Sequence, residues 1–177
     1  MTQEFKFEPS LWVPFRDREV IDRVAAIKRE DMEKHDNPDF KIKVVPDADM
    51  PHIWIADMVR RIKESAETGK KTVMILPNPV SLYKYFARRI NELQIDCHNL
   101  VTFAMDEYAD QDGNIAPETW RCGFTYAMMN NLYYEIDEKL RPDIKQFHGL
   151  NNKNVNDYSR MIEDAGGADI VYAGPGW

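Results

Sequence analysis

Cysteine is scarce. The 177 residues hold two, Cys97 and Cys122, with no Cys-x-x-Cys spacing. That excludes a disulfide framework and a zinc ribbon, and it suits free thiols in a reducing compartment. Histidine is little commoner. His35, His52, His98 and His148 are scattered, and no pair has the helical spacing of metal ligands. No apolar run approaches the roughly 20 residues that span a bilayer, so no membrane partner is expected. Residues 1–16 have no apolar core of signal-peptide type, which leaves the cytoplasm as the default compartment. Positive charge is short as well. Against 30 acidic residues stand 23 basic ones, a net charge of −7, and there is no basic stretch. A nucleic-acid partner is therefore not expected. A phosphorylated small molecule remains allowed, because a local site can be positive on an acidic protein.

What is present is an ordinary globular balance, 44% hydrophobic and 30% charged, enough for one domain with a sizeable core. Residues 1–16 form an irregular arm with Phe5, Phe7, Leu11, Trp12, Val13 and Phe15, interrupted by Pro9 and Pro14. So many aromatic residues are expected to lie against a neighbouring surface, in the same subunit or another, which leaves room for a homo-oligomer. A helix over about 17–36 carries Val20, Val24 and Ile27 on one face, and Asn37-Pro38 ends it. This arm and helix, 1–39, are expected to stand apart from the rest of the chain, 40–177.

From Phe40 the pattern alternates. Strands are expected over 40–45, 72–76, 100–105 and 168–173. Helices are expected over about 51–68, 80–94, 117–136 and 155–164. The buried stripes are Ile55, Val59, Ile62 and Ala66, then Leu82, Phe86, Ile90 and Leu93, then Trp120, Phe124, Ala127, Met128 and Leu132. Repeated strand–helix crossovers imply an α/β fold, a mostly parallel sheet flanked by helices in the Rossmann-like manner.

The most informative stretch is NLVTFAMDEYADQDG, Asn99 to Gly113. Its apolar run reads as a strand buried on both faces. It ends in Asp106-Glu107-Tyr108. A carboxylate at the carboxyl end of a parallel strand lies where open α/β sheets bind ligands. Burial behind it would raise its pKa toward a useful general-base range. Equally, the two acids could only mark where the strand leaves the core. Two other strand ends carry unusual residues, Leu76-Pro77-Asn78-Pro79 and Gly174-Pro175-Gly176-Trp177. Parallel strands place all three at one edge.

Taken in this order, from about Phe40 onward, these stretches resemble the glucosamine-6-phosphate deaminase/isomerase family, which includes the 6-phosphogluconolactonases. VTFAMDEY, Val101 to Tyr108, followed by Pro117-Glu118-Thr119, is similar to the deaminases' strand and following Pro-Glu-Ser. The lactonase branch more often has Asp-Glu-Arg, so Tyr108 favours the deaminase side over a lactonase-type hydrolase. The resemblance implies that Asp106 moves a proton between C2 and C1 of an aminosugar phosphate. Ammonia then leaves from C2, with no metal and no organic cofactor required. Glu107 would position the turn or contact substrate. Gly174 and Gly176 resemble the start of the family's GxGxxGH loop and would let the backbone approach the ligand.

Two departures stand out. The family's phosphate loop is Leu-Pro-Thr-Gly-Gly-Thr-Pro, and here it is Leu76-Pro77-Asn78-Pro79-Val80-Ser81. Proline supplies no N–H donor. Asn78 and Ser81, with the N–H groups of the helix start, are the remaining candidates for the phosphate. The altered loop also suits a non-catalytic member that binds a sugar or serves as an interaction module. Further, the family's second catalytic acid, ring-opening histidine and supporting glutamate follow the GxGxxGH loop, and no residue here matches them. The expectation is an incomplete domain, truncated at its C-terminus and inactive alone.

Overall fold

The computed structural model describes residues 16–77 and 80–174. The chain forms two compact units, Met1–Asp47 and Ala48–Trp177. In the first, α1 is Arg18–Ala25, opened by Asp17, whose side chain accepts the Val20 N–H at 3.1 Å. It stops well short of residue 36. None of its residues is buried, so no packing extends the helix beyond the reach of its own hydrogen bonds. The strand expected over 40–45 does not form. Its alternation of Phe40, Ile42 and Val44 meets no partner strand, and the Glu33 carboxylate takes the Val44 N–H at 2.8 Å.

In the second unit α2 is Met50–Thr68, with Pro51 in its first turn and Gly69 closing it at φ +69°. Its buried line is Met58, Ile62 and Ser65, rotated slightly from the expected stripe. Then follow β1, Thr72–Leu76, and α3, Tyr83–Leu93, which buries Tyr83, Phe86, Ala87 and Ile90. Leu82 and Leu93 lie at the ends of that helix, and Leu93 is exposed. Next comes β2, Leu100–Ala104, buried at all five positions.

The helix expected over 117–136 is much shorter. Residues 117–123 form successive turns, in which Trp120 N–H donates to Pro117 O and Gly123 N–H to Trp120 O. Only Phe124–Met128 is α-helix, here α4, and it runs into a π-helical turn, Met129–Tyr133. Trp120, placed on the inner stripe by its spacing, is exposed. The two-residue strand β3, Phe147–His148, was not expected. Finally α5, Tyr158–Asp164, leads to β4, Ile170–Val171.

The sheet order is β3-β2-β1-β4 with every pair parallel. One face packs on α2, α3 and α4 through Met74, Leu76, Leu100 and Ala104. The other packs on α5 through Val73, Val101 and Phe103, against Tyr158, Met161 and Ile162. Burial of a side chain such as Phe103, 0% exposed, contributes about 2–3 kcal/mol. Sequence order runs outward from β1 to β2 to β3, then returns to β4 on the other flank of β1. The chain direction therefore reverses between β1 and β4, and the crevice beyond their carboxyl ends is where such sheets take ligands.

Candidate functional site

The register fixes what meets at that edge. Leu76 pairs with Ala104, and Ile75 with Val171. Met105 N–H continues the ladder to Leu76 O at 2.9 Å, and Tyr172 N–H to Ile75 O at 3.0 Å. Asp106, two residues past Ala104, and Gly174, three past Val171, thus fall at the same level by register, on the strands that flank β1 on either side. Two strand spacings, about 10 Å, separate their rows.

Asp106 is exposed, and among the described residues no hydrogen bond or ion pair holds its carboxylate. Partial burial, and then the Glu107 charge, raise its pKa above the ordinary carboxylate value. A carboxylate that is unengaged, basic and solvent-accessible at a strand end can accept a proton from a bound carbon acid.

Its neighbour is committed elsewhere. Glu107 Oε1 accepts the N–H groups of Phe124 at 2.8 Å and Tyr108 at 3.0 Å, and Oε2 accepts Thr125 N–H at 2.6 Å. Burial pushes its pKa up, but the backbone donors outweigh it and hold the carboxyl below its usual value. The carboxylate thereby caps α4, which starts after Gly123 with no cap of its own. Gly123 must be small there: an added Cβ would stand 3.1 Å from Trp120 O and 3.4 Å from Glu107 Oε1. Nothing in the sequence signals this contact, because the partners lie 17 and 18 residues downstream.

On the β1 side, Tyr83 is buried and its hydroxyl donates to Pro77 O at 2.5 Å. Burial, aided by the Asp106 charge, keeps that phenol protonated far above its usual range. Ser81 is exposed in the turn before α3, and the N-cap Leu82 makes no side-chain capping bond. Among the described residues no side chain caps the start of α3 at the carboxyl end of β1, where Tyr83 N–H donates to Val80 O at 3.3 Å. Gly174 is exposed, and a Cβ there would meet nothing within 4 Å. Asn78 and Gly176 lie outside the described residues.

A second tether fixes β4. Tyr172 hydroxyl donates to Asp57 Oδ2 at 2.7 Å, and its ring stacks on Trp54 at 5.5 Å. Burial raises the Asp57 pKa. Hydrogen bonds from Arg61, Tyr172 and Arg60 outweigh it and bring the pKa down to about 2. Sequence spacing singled out none of these residues. Among the described residues no three His, Cys, Asp or Glu side chains form a metal-ligand group. No described helix is long and apolar enough to cross a membrane.

No protein-family model matches the chain. Individual proteins do. A glucosamine-6-phosphate deaminase of Porphyromonas gingivalis is 29% identical over 148 residues, 77% of this chain and 53% of that protein. One from Borrelia hermsii is 32% identical over 134 residues, 70% of this chain and 47% of its own length. The chain is a relative of the glucosamine-6-phosphate deaminases. A solved structure of a monomeric glucosamine-6-phosphate deaminase, described as a missing link of the NagB superfamily, shares the fold with a TM-score of 0.58 at 16% identity. The match covers 73% of this chain and 52% of that one. The chain spans about half the length of the curated deaminases it matches.

Proposed function

We propose that this chain carries the proton-transfer part of an aminosugar-phosphate deaminase/isomerase. The reaction is glucosamine 6-phosphate plus water giving fructose 6-phosphate plus ammonia. Asp106 takes the proton from C2 of the open-chain sugar and returns it to C1. Water then replaces the nitrogen at C2, and ammonia leaves. Glu107 acts through the backbone, holding the turn after β2 against α4. The start of α3, with Ser81, receives the phosphate, and Gly174 borders the same crevice; Asn78 and Gly176 are assigned to substrate by the family resemblance of their sequence alone.

The observation that carries this reading is the Asp106 carboxylate, exposed and without a hydrogen-bond partner among the described residues, beside the point where the strand order switches. The Pro77–Pro79 loop, poor in N–H donors, favours a second reading, a sugar-binding member without catalysis.

Deuterium exchange separates the two. Fructose 6-phosphate reaches its open-chain ketone unaided, so incubation with ammonium in D2O isolates the Asp106 step. Proton NMR is expected to show protein-dependent deuterium at C1, lost in Asp106→Asn because an amide is no useful base. Exchange unchanged by that substitution refutes the role of Asp106. Absence of exchange in the unsubstituted protein favours the sugar-binding reading. Ammonia release from glucosamine 6-phosphate by the 177-residue chain is expected far below the usual enzyme range of about 1–1000 per second.

A further inference from the structure

Just past Asp106-Glu107 the chain forms an open hollow of about 360 Å³. Its walls are Tyr108, Ile115, Pro117 and Trp120, with Asp110 and Asn114 also lining it. The frame is well tied. Ala109 and Ile115 form an antiparallel bridge. Ala116 N–H donates to Tyr108 O, and Asp110 N–H to Asn114 O, both at 2.9 Å. Asn152 Oδ1 accepts the Ile115 N–H at 2.7 Å. The hollow is thus a built concavity rather than a gap between loose loops.

Two features give it a chemical preference. Tyr108 and Trp120 stand edge to face at 5.6 Å, yet leave 49% and 44% of their surface exposed. Open aromatic faces attract cations and the C–H faces of saturated rings. Asp110 adds a negative charge on the same cavity. Its Oδ1 accepts N–H groups of Asp112 at 2.9 Å and Asn114 at 2.8 Å, and its Oδ2 accepts the Asn114 side-chain amide at 3.1 Å. Hydrogen bonds from the side chain and backbone of Asn114 lower its pKa and keep it ionised. Among the described residues no Lys, Arg or His forms an ion pair with it. Aromatic walls with one oriented anion suit a ring that bears a protonated amine.

We propose that the Tyr108–Trp120 hollow is a second binding site, separate from the Asp106 crevice, for an unphosphorylated amino-sugar ring. The ammonium lies toward Asp110 and the ring's C–H face against the aromatic walls. The choice of a sugar among ring amines rests on the aminosugar reading above; the preference for a cation does not.

The test is calorimetric titration of the full 177-residue chain with glucosamine and with glucose, which has the same ring and no amine. Glucosamine is expected to bind about tenfold or more tightly than glucose, and added salt is expected to weaken it. Trp120→Ala is expected to weaken glucosamine by about tenfold or more, with unchanged circular dichroism. Asp106→Asn is expected to leave it unchanged. Equal affinity for glucose and glucosamine overturns the proposal on the unsubstituted protein alone. Undiminished binding in Trp120→Ala overturns it as well. Glucosamine binding that disappears in Asp106→Asn assigns the sugar to the crevice and also overturns it. The C1 exchange assay reads the crevice independently, so either reading can fail while the other stands.

Discussion

Glu107 offers the sharpest test of how the site is held. Replacing it with Ala removes three backbone hydrogen bonds to one ionised carboxylate, at 2.6, 2.8 and 3.0 Å. Bonds to a charged acceptor each contribute about 1.5–3 kcal/mol. The carboxylate is half-buried, and water can replace part of what is lost, so the lower end applies. Loss of a helix N-cap alone costs about 0.5–2 kcal/mol. Together these give about 2–4 kcal/mol for Glu107→Ala. With a urea m-value of about 2 kcal/mol per molar, the midpoint falls by about 1–2 M. Glu107→Gln keeps one acceptor oxygen and is expected to lose about half as much.

The pH dependence follows from the direction of the shift. The folded-state pKa is depressed, so this stabilisation is present above the unfolded value near 4.5 and is lost as pH falls through the folded value. The gap between parent and Glu107→Gln should be full at pH 7 and close only once the pH has fallen below the depressed folded-state value. Urea unfolding by tryptophan fluorescence at both pH values measures it. A Glu107→Ala midpoint within about 0.3 M of the parent refutes the capping role, as does a gap that persists in acid.

Three further outcomes are expected. Gly149→Ala would place a Cβ 2.4 Å from Thr125 Cγ2 and 2.5 Å from Oγ1 on a residue buried at the start of α4, so a loss of about 1–3 kcal/mol should appear in the same unfolding assay. His148 stacks on Phe103 at 4.5 Å, and burial lowers its pKa. Its neutral form supports the fold fully above the unfolded pKa near 6.5, and that support drains as pH falls below it; His148→Phe should flatten the stability profile as pH falls through 6.5, and an identical slope would disprove the assignment. Replacing Asn78-Pro79 by Thr-Gly-Gly should tighten sugar phosphates over their unphosphorylated forms by restoring N–H donors, whereas a strong phosphate preference already present in the parent would show that the native loop suffices.

What the sequence made legible was decided by burial. β1 and β2 are continuous apolar runs hidden on both faces, and their limits could be read almost to the residue. Asp106 followed from them, since the end of a buried strand is itself a location. Elements defined by distant partners were illegible. β3 has two residues and exists because Phe147 and His148 fall beside Thr102 and Phe103. The start of α4 is set by the Glu107 carboxylate in the turn after β2, so the stripe through Trp120 suggested a helix that does not form. Residues 40–45 alternate as a strand should, but alternation without a pairing edge leaves only extended chain. Glu107 was expected either to hold the turn or to touch substrate, and its three hydrogen bonds from backbone N–H groups support the first.

The tether from Tyr172 to Asp57 bears on the order in which the crevice comes into being. β1 and β2 follow one another with a single helix between them, so their pairing closes a short loop. β4 reaches the sheet through contacts 96 and 115 residues apart in sequence, Val73 N–H to Asp169 and Tyr172 to Asp57. Long closures are slow and come late, and a two-residue strand has few ladder bonds of its own. The Gly174 wall of the crevice is therefore expected to dock late in folding and to detach early in local opening, while Asp106 stays on the β1–β2 pair. Ligand that bridges the two walls would act as a latch on that flank, so occupancy should slow amide exchange at Tyr172 and Ala173 well before it alters exchange in β2.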